Sequence, residues 1–175
     1  MTVGSEIATP EVHEVPRSSH PVYRVLLLSA ALLAAAGWLL STMTLDASAL
    51  EAPWWVAIFV MVGFGLAERF AFHMEYRREA KSFTLAEVPT AFALLFLGPI
   101  VAIVVRLIGS LTVVFFESRP ARHKIAFNAA LFTFETALSF AILQWACRGS
   151  NPSDGKLLVT IAVALAVASF VGSLV

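Results

Sequence analysis

Long apolar runs recur along most of this chain, and they restrict its fold more strongly than any other feature. Hydrophobic residues make up 59% of the 175 residues and charged residues only 14%, a balance that a soluble domain of this size does not bury in one core. A helix crosses the roughly 30 Å hydrocarbon layer with about 20 apolar residues and satisfies its own backbone hydrogen bonds. We therefore predict an all-α, polytopic transmembrane helix bundle of about six passes, at residues 22–44, 54–73, 83–97, 99–117, 125–146 and 157–175.

The first 21 residues differ from the rest because they are acidic and contain several prolines. This composition predicts a disordered cytoplasmic tail at residues 1–21. The sequence Ala47-Ser48-Ala49, which follows the first apolar run, resembles a signal-peptidase site. However, that run has about 20 residues where signal peptides have 7–15, and the segment before it is acidic rather than basic. The first helix is therefore interpreted as an uncleaved anchor.

Basic residues are concentrated at one end of the predicted passes. The loop at residues 46–53 contains Asp46 and Glu51 but neither Lys nor Arg, whereas segments 77–81 and 119–124 contain three Lys or Arg each. Because basic loops stay in the cytoplasm, we predict a protein of the cell's inner (plasma) membrane with both termini cytoplasmic. The last apolar run ends without a basic cluster, which favours a cytoplasmic continuation.

The apolar run at residues 83–117 has about 35 residues, whereas one pass needs about 20. The run is therefore too long for one pass and short for two. A Gly98-Pro99 pair lies within it, and such a pair breaks a helix. Both flanks of the run are basic, so both are expected on the inner side. We predict a hairpin of two short passes that turns at Gly98 and Pro99 near the outer surface. A tilted or partly re-entrant first arm is the alternative.

Two ionisable residues lie deep in predicted passes, where an unpaired charge is expensive. Arg106 lies eleven residues before Glu117, and Glu135 lies eleven residues after Lys124. At 1.5 Å per residue, each is about 16 Å from the inner end of its pass. Because passes adjacent in sequence pack with a short connection, we predict an Arg106–Glu135 ion pair. The pair either only fixes helix register or takes part in ligand or proton sensing.

Further polar and turn residues precede and follow this pair. Thr84 and Glu87 match a capping box, in which Glu87 bonds back to the helix start, with ligand binding as the alternative role. Pro89 is predicted to kink the beginning of the same helix. Asn128 lies about as deep as Glu87, so the two are predicted to share a polar cluster. Glu68 is expected to extend to the membrane surface.

Ala30 and Ala34 stand four residues apart on the first helix. Small residues at this spacing let another helix approach closely. We predict that they pack within the bundle, with docking to a partner protein as the alternative.

The chain lacks recognisable catalytic and metal-binding motifs. Its four histidines are scattered and Cys147 is its single cysteine, so we predict no metal site and no cofactor. Neither a Walker loop nor a nucleophile elbow is present, and we expect no enzyme activity from these residues. The formal net charge is zero, which gives no indication of nucleic-acid binding. The predicted partner is the lipid bilayer.

Three segments carry a resemblance to a known group of proteins. Residues 82–99 read SFTLAEVPTAFALLFLGP, residues 105–109 read VRLIG and residues 124–135 read KIAFNAALFTFE. Together they resemble the N-terminal membrane domains of actinobacterial signalling proteins that carry GGDEF and EAL domains and turn over cyclic di-GMP. The resemblance implies a sensory and anchoring module that acts on a cytoplasmic signalling domain, or as a homodimer. It also implies that the family-like polar and turn positions are Glu87, Pro89, Arg106, Phe127, Asn128 and Glu135.

Two other functions remain open. The length, the Gly-Pro turn and the small residues of the first helix also resemble the substrate-binding subunits of energy-coupling vitamin transporters. A small structural membrane protein is the third alternative. The GGDEF and EAL motifs are absent from this chain, so on the signalling interpretation the enzyme is a continuation or a partner.

Overall fold

The computed structural model describes residues 20–43, 53–70, 72–76, 79–83, 85–118, 121–148 and 154–174. These residues form the predicted all-α bundle, and the structure adds one two-stranded hairpin to it. The helices are α1 His20–Thr42, α2 Trp54–Arg69, α3 Glu87–Phe96, α4 Pro99–Ser118, α5 Arg122–Cys147 and α6 Asp154–Leu174, and the strands are β1 Phe72–Tyr76 and β2 Glu79–Phe83. Residues 1–19 of the predicted tail lie outside the described residues.

Helix length separates two kinds of helix in the bundle. Four segments are long and apolar enough to cross a membrane: Val22–Thr42, Pro99–Phe116, Arg122–Cys147 and Gly155–Gly172. They are typical of an integral membrane protein. In contrast, α2 has 16 residues and α3 has 10, which correspond to lengths of about 24 Å and 15 Å. Six helices therefore lie where six passes are predicted, and four of the six have the length of a full span.

The hairpin explains why α2 and α3 are shorter than predicted. The predicted passes at residues 54–73 and 83–97 overrun the helices at the ends that face the hairpin. Strands β1 and β2 pair antiparallel, from Phe72 opposite Phe83 to Tyr76 opposite Glu79. The segment from residue 72 to residue 83 contains five charged side chains, which are costly in lipid. A hairpin forms its backbone hydrogen bonds within itself, so the segment does not need to continue either helix.

Small residues fill the interior and large apolar residues cover the outside. Ala93, Ala102, Ala130, Ala137 and Ala164 are fully buried, whereas many Leu, Ile, Val and Phe side chains are exposed. In lipid, the hydrophobic effect does not drive apolar side chains inward, and close backbone approach holds helices together instead. The burial pattern therefore suits a bundle surrounded by hydrocarbon.

Helices α2 and α3 run antiparallel. A Cβ atom on Gly63 would lie 3.2 Å from the Cβ of Pro89. The Phe59 and Phe92 rings meet edge to face with their centroids 6.1 Å apart. Residue numbers therefore decrease along α2 in the direction in which they increase along α3. Helix α3 thus runs back alongside α2.

The predicted break at Gly98 and Pro99 is confirmed. Leu97 ends α3 in an extended conformation with φ −115° and ψ 150°, and Pro99 is the first residue of α4. Proline suits a first helical position because its missing N–H would have no partner there. The chain therefore re-enters a helix after two non-helical residues.

Helix α1 packs mainly against α5, and it uses a different face from the predicted one. Ser29, Leu32 and Ala36 are buried, whereas Ala30 and Ala34 are exposed. The prediction that Ala30 and Ala34 pack within the bundle is therefore wrong. The helix is apolar on most sides, so its sequence does not reveal which side meets α5.

Candidate functional site

The predicted ion pair between Arg106 and Glu135 is confirmed. Arg106 Nη2 donates to Glu135 Oε2, which joins α4 to α5. The two side chains are only 8% and 14% exposed. Removing water from a charge pair is expensive, so such a pair persists where each charge has a close partner.

Further contacts surround the Arg106 guanidinium. Its Nη1 donates to Thr136 Oγ1 at 3.1 Å, and that hydroxyl donates to the Phe132 carbonyl one turn earlier at 2.8 Å. The guanidinium carbon lies 5.6 Å from the centroid of the Phe64 ring and 5.0 Å from that of Phe132. Aromatic faces attract a cation through their quadrupole, most strongly where water is excluded. Residues of α2, α4 and α5 therefore position this guanidinium together.

Glu68 is a member of this cluster that the sequence reasoning missed. Its carboxylate on α2 interacts electrostatically with Arg106, which favours its charge, and with Glu135, which opposes it. The Ser110 hydroxyl faces the same carboxylate. Glu68 is half-buried and faces the cluster, and its extension to the membrane surface stays a prediction. One sequence feature could have indicated a polar partner for α4: Arg106 and Ser110 stand four residues, or about one turn, apart on that helix.

Two buried polar atoms in this cluster are without a hydrogen-bond partner among the described residues. They are Arg106 Nε and Ser110 Oγ. Arg106 is 6% exposed and Ser110 is fully buried. A buried group left unbonded carries its full desolvation cost, so the side of α4 that holds both atoms has unused hydrogen-bonding capacity.

Glu87 lies outside this cluster and has a different partner from the predicted one. Ser169 Oγ on α6 donates to Glu87 Oε1 at 3.0 Å, in an exposed position. Helix α3 begins after Ala86, and no side-chain hydrogen bond caps it. Ala86 rather than Thr84 therefore holds the N-cap position. The bonds of the predicted capping box involve Thr84, which lies outside the described residues.

Pro89 is the third residue of α3 and lies at its start rather than in its interior. It is buried in the first turn of α3, where the missing N–H breaks no intrahelical bond. The predicted kink is therefore wrong. Instead, Pro89 packs on Gly63 of α2 at the 3.2 Å approach given above.

Asn128 is not joined to Glu87 among the described residues. It is half-buried on α5, seven residues before Glu135 and therefore about 10 Å nearer the start of that helix. The partner that the structure gives Glu87 is Ser169 on α6, and the polar cluster of Glu87 with Asn128 stays a prediction.

Helix α6 reaches the buried cluster through a glycine. A Cβ atom on Gly172 would lie only 2.0 Å from Glu135 Oε1, so any larger residue there displaces the carboxylate. The position near the end of α6 is therefore in direct contact with the buried ion pair.

An apolar cavity lies apart from the polar residues. It measures about 260 Å³ and is formed by α2 and α3 side chains that include Phe59, Leu66, Val88 and Phe92. None of the charged cluster residues lines it. The apolar lining suits hydrocarbon, and the charged side chains of the cluster lie outside the cavity.

Comparison of this chain with protein-family models, curated proteins and solved structures found no match.

Proposed function

We propose that this chain is the membrane-embedded sensory and anchoring module of a bacterial signalling protein. It resides in the plasma membrane with both termini cytoplasmic and acts on a cyclic di-GMP output domain outside this chain. The observation that carries the proposal is the contact between Glu135 and α6. The buried ion pair touches Gly172, near the end of the last helix.

This contact supports a means of passing a local change to a whole helix. Close packing at Gly172 leaves no space between α6 and the Glu135 carboxylate. A change in the charge or position of Glu135 therefore favours a different position of α6. Packed helices move between discrete arrangements rather than deforming continuously, which is how small changes at a site become switches.

The hydrogen bond from Ser169 to Glu87 supports the same role for α6. It holds α6 to the start of α3, three residues from the contact at Gly172. Two polar contacts on one turn of α6 therefore determine where that end of the helix lies. The assignment of the output to cyclic di-GMP rests on the resemblance of residues 82–99 and 124–135 to actinobacterial signalling proteins.

The test changes the α6 contact alone. In the chain joined to its native continuation, Gly172→Ala should displace Glu135 and change cyclic di-GMP turnover several-fold. Gly155→Ala is the matched control on the same helix, because nothing lies within 4 Å of a Cβ atom there. The control should leave turnover at the wild-type rate.

Two results would contradict the proposal. One is unchanged turnover in the Gly172→Ala protein. The other is a downstream gene sequence without an output domain, together with saturable vitamin binding by the membrane domain, which would favour the transporter alternative.

The orientation is tested separately with reporter fusions. A phosphatase that is active only outside the cytoplasm should be active when inserted in the loop at residues 46–53 and inactive after Val175. Activity of the fusion after Val175 would reverse the proposed orientation.

A further inference from the structure

We propose that Glu68, with its neighbours Arg106 and Ser110, forms a proton-binding site beside the Arg106–Glu135 ion pair. The proposal deepens the function proposed above, on which its sensory meaning rests, by naming the proton as the ligand of the cluster.

The charges of the cluster do not balance. The Glu68 and Glu135 carboxylates both interact with Arg106, which carries one positive charge. The Arg106 guanidinium already forms an ion pair with Glu135. Glu87 on α3 adds a further negative charge that acts on Glu135. Among the groups of the described residues that act on Glu68, Arg106 is the cation. An ionised Glu68 therefore adds a negative charge to the cluster beside apolar helices, where uncompensated charge is expensive, and uptake of a proton removes it.

The two unpartnered atoms match a protonated carboxyl group. A neutral carboxylic acid offers one carbonyl oxygen as acceptor and one O–H as donor. Arg106 Nε and Ser110 Oγ are buried without a partner among the described residues, and Ser110 faces the Glu68 carboxylate. Ionised Glu68 can accept from both groups, whereas protonated Glu68 can accept from Arg106 Nε and donate to Ser110 Oγ, because a hydroxyl both donates and accepts. Proton uptake therefore removes the excess charge without leaving either buried atom unbonded.

The exchange is a simple protonation. The Glu68 carboxylate takes one proton from water and becomes a carboxylic acid, and release reverses the step. Ionised Glu68 competes with Glu135 for the single guanidinium, whereas protonated Glu68 does not. Because Glu135 abuts Gly172, the proton on Glu68 controls a contact with α6.

A proton suits this cluster better than a metal ion. The guanidinium repels a metal cation, and a proton occupies a single carboxylate oxygen. Among the described residues, no group of three His, Cys, Asp or Glu side chains is placed to hold a metal.

Infrared difference spectroscopy on the full chain in lipid nanodiscs tests the site. A band from the C=O stretch of a protonated carboxyl group should weaken as the pH is raised and shift in heavy water. Glu68→Gln should abolish it. Glu87→Gln is the matched control, because Glu87 is exposed and its charge acts on Glu135 rather than on Glu68. The band should persist in this variant.

Ser110→Ala distinguishes Glu68 from Glu135 as the residue that carries the proton. The same variant tests the site if the Glu68→Gln protein does not fold. Loss of the Ser110 acceptor should move the band to higher frequency. An unshifted band in Ser110→Ala, a band retained in Glu68→Gln, or no band at any pH would overturn the proposal. Weakening of the band when sodium replaces choline at constant pH would also overturn it, in favour of a cation site. Unchanged cyclic di-GMP turnover in the Gly172→Ala protein would refute the signalling proposal. The infrared test of the proton site does not depend on that result.

Discussion

Replacing Arg106 by Leu tests whether the buried ion pair stabilises the bundle. The substitution leaves the Glu135 carboxylate, whose side chain is 14% exposed, without its counter-charge. Breaking a buried pair by removing one partner costs about 3–5 kcal/mol. Loss of the Phe64 and Phe132 ring contacts adds to this, at roughly 0.5–2 kcal/mol each. We expect the folded-to-unfolded ratio to fall by at least about a hundredfold, since each 1.4 kcal/mol is about tenfold.

The double substitution Arg106→Leu with Glu135→Leu separates the pairing from other effects. Removing both charges should restore part of the loss, because the uncompensated carboxylate is gone. Recovery should be incomplete, since Glu68 also loses its cationic neighbour and the contacts of Arg106 with Thr136 and the two rings are not replaced.

The assay is equilibrium unfolding of the purified chain in mixed detergent micelles, followed by circular dichroism. Lys124→Leu is the control, because Lys124 is exposed near the start of α5 and should change the free energy of unfolding by less than about 0.5 kcal/mol. If the two single losses at Arg106 and Glu135 add within about 0.5 kcal/mol in the double variant, the residues are not coupled and the reasoning fails.

Two further predictions concern packing and the surface. Gly109→Ala should lower the free energy of unfolding by about 1–3 kcal/mol, because a Cβ atom there would lie 2.4 Å from the Met61 carbonyl oxygen. Gly37→Ala, with nothing within 4 Å, should be neutral or stabilising, and equal effects of the two substitutions would contradict the close contact. Ser169→Ala removes the exposed hydrogen bond to Glu87 and should lower the same free energy by less than about 1 kcal/mol. A loss as large as that of Arg106→Leu would show that this contact is structurally dominant.

Positions along a helix axis were predictable from the sequence. The membrane thickness and the 1.5 Å rise determine how deep a residue lies, so the common depth of Arg106 and Glu135 followed from counting. The cost of an unpaired charge in lipid then made their pairing the favoured arrangement. The break at Gly98 and Pro99 was equally local, because it follows from the covalent geometry of proline.

Positions around a helix axis were not predictable in the same way. Helix α1 is apolar on most sides, so only the location of α5 decided that Ser29 is buried while Ala30 and Ala34 are exposed. The partner of Glu87 was not predictable for a related reason. The Glu87 carboxylate found Ser169, which is 82 residues away in sequence, and a local motif contains no information about such a partner.

The sequence by itself determined that this chain forms apolar helices and that a break at Gly98 and Pro99 separates two of them. It also determined that Arg106 needs a buried carboxylate. Each conclusion depends on a property of one segment: its length, its proline or its charge in lipid. Only the tertiary structure decided that Glu68 joins Arg106 and that Gly172 brings α6 against Glu135. Those contacts depend on the rotation and relative height of separate helices, which are set by side-chain packing between them rather than by any one helix.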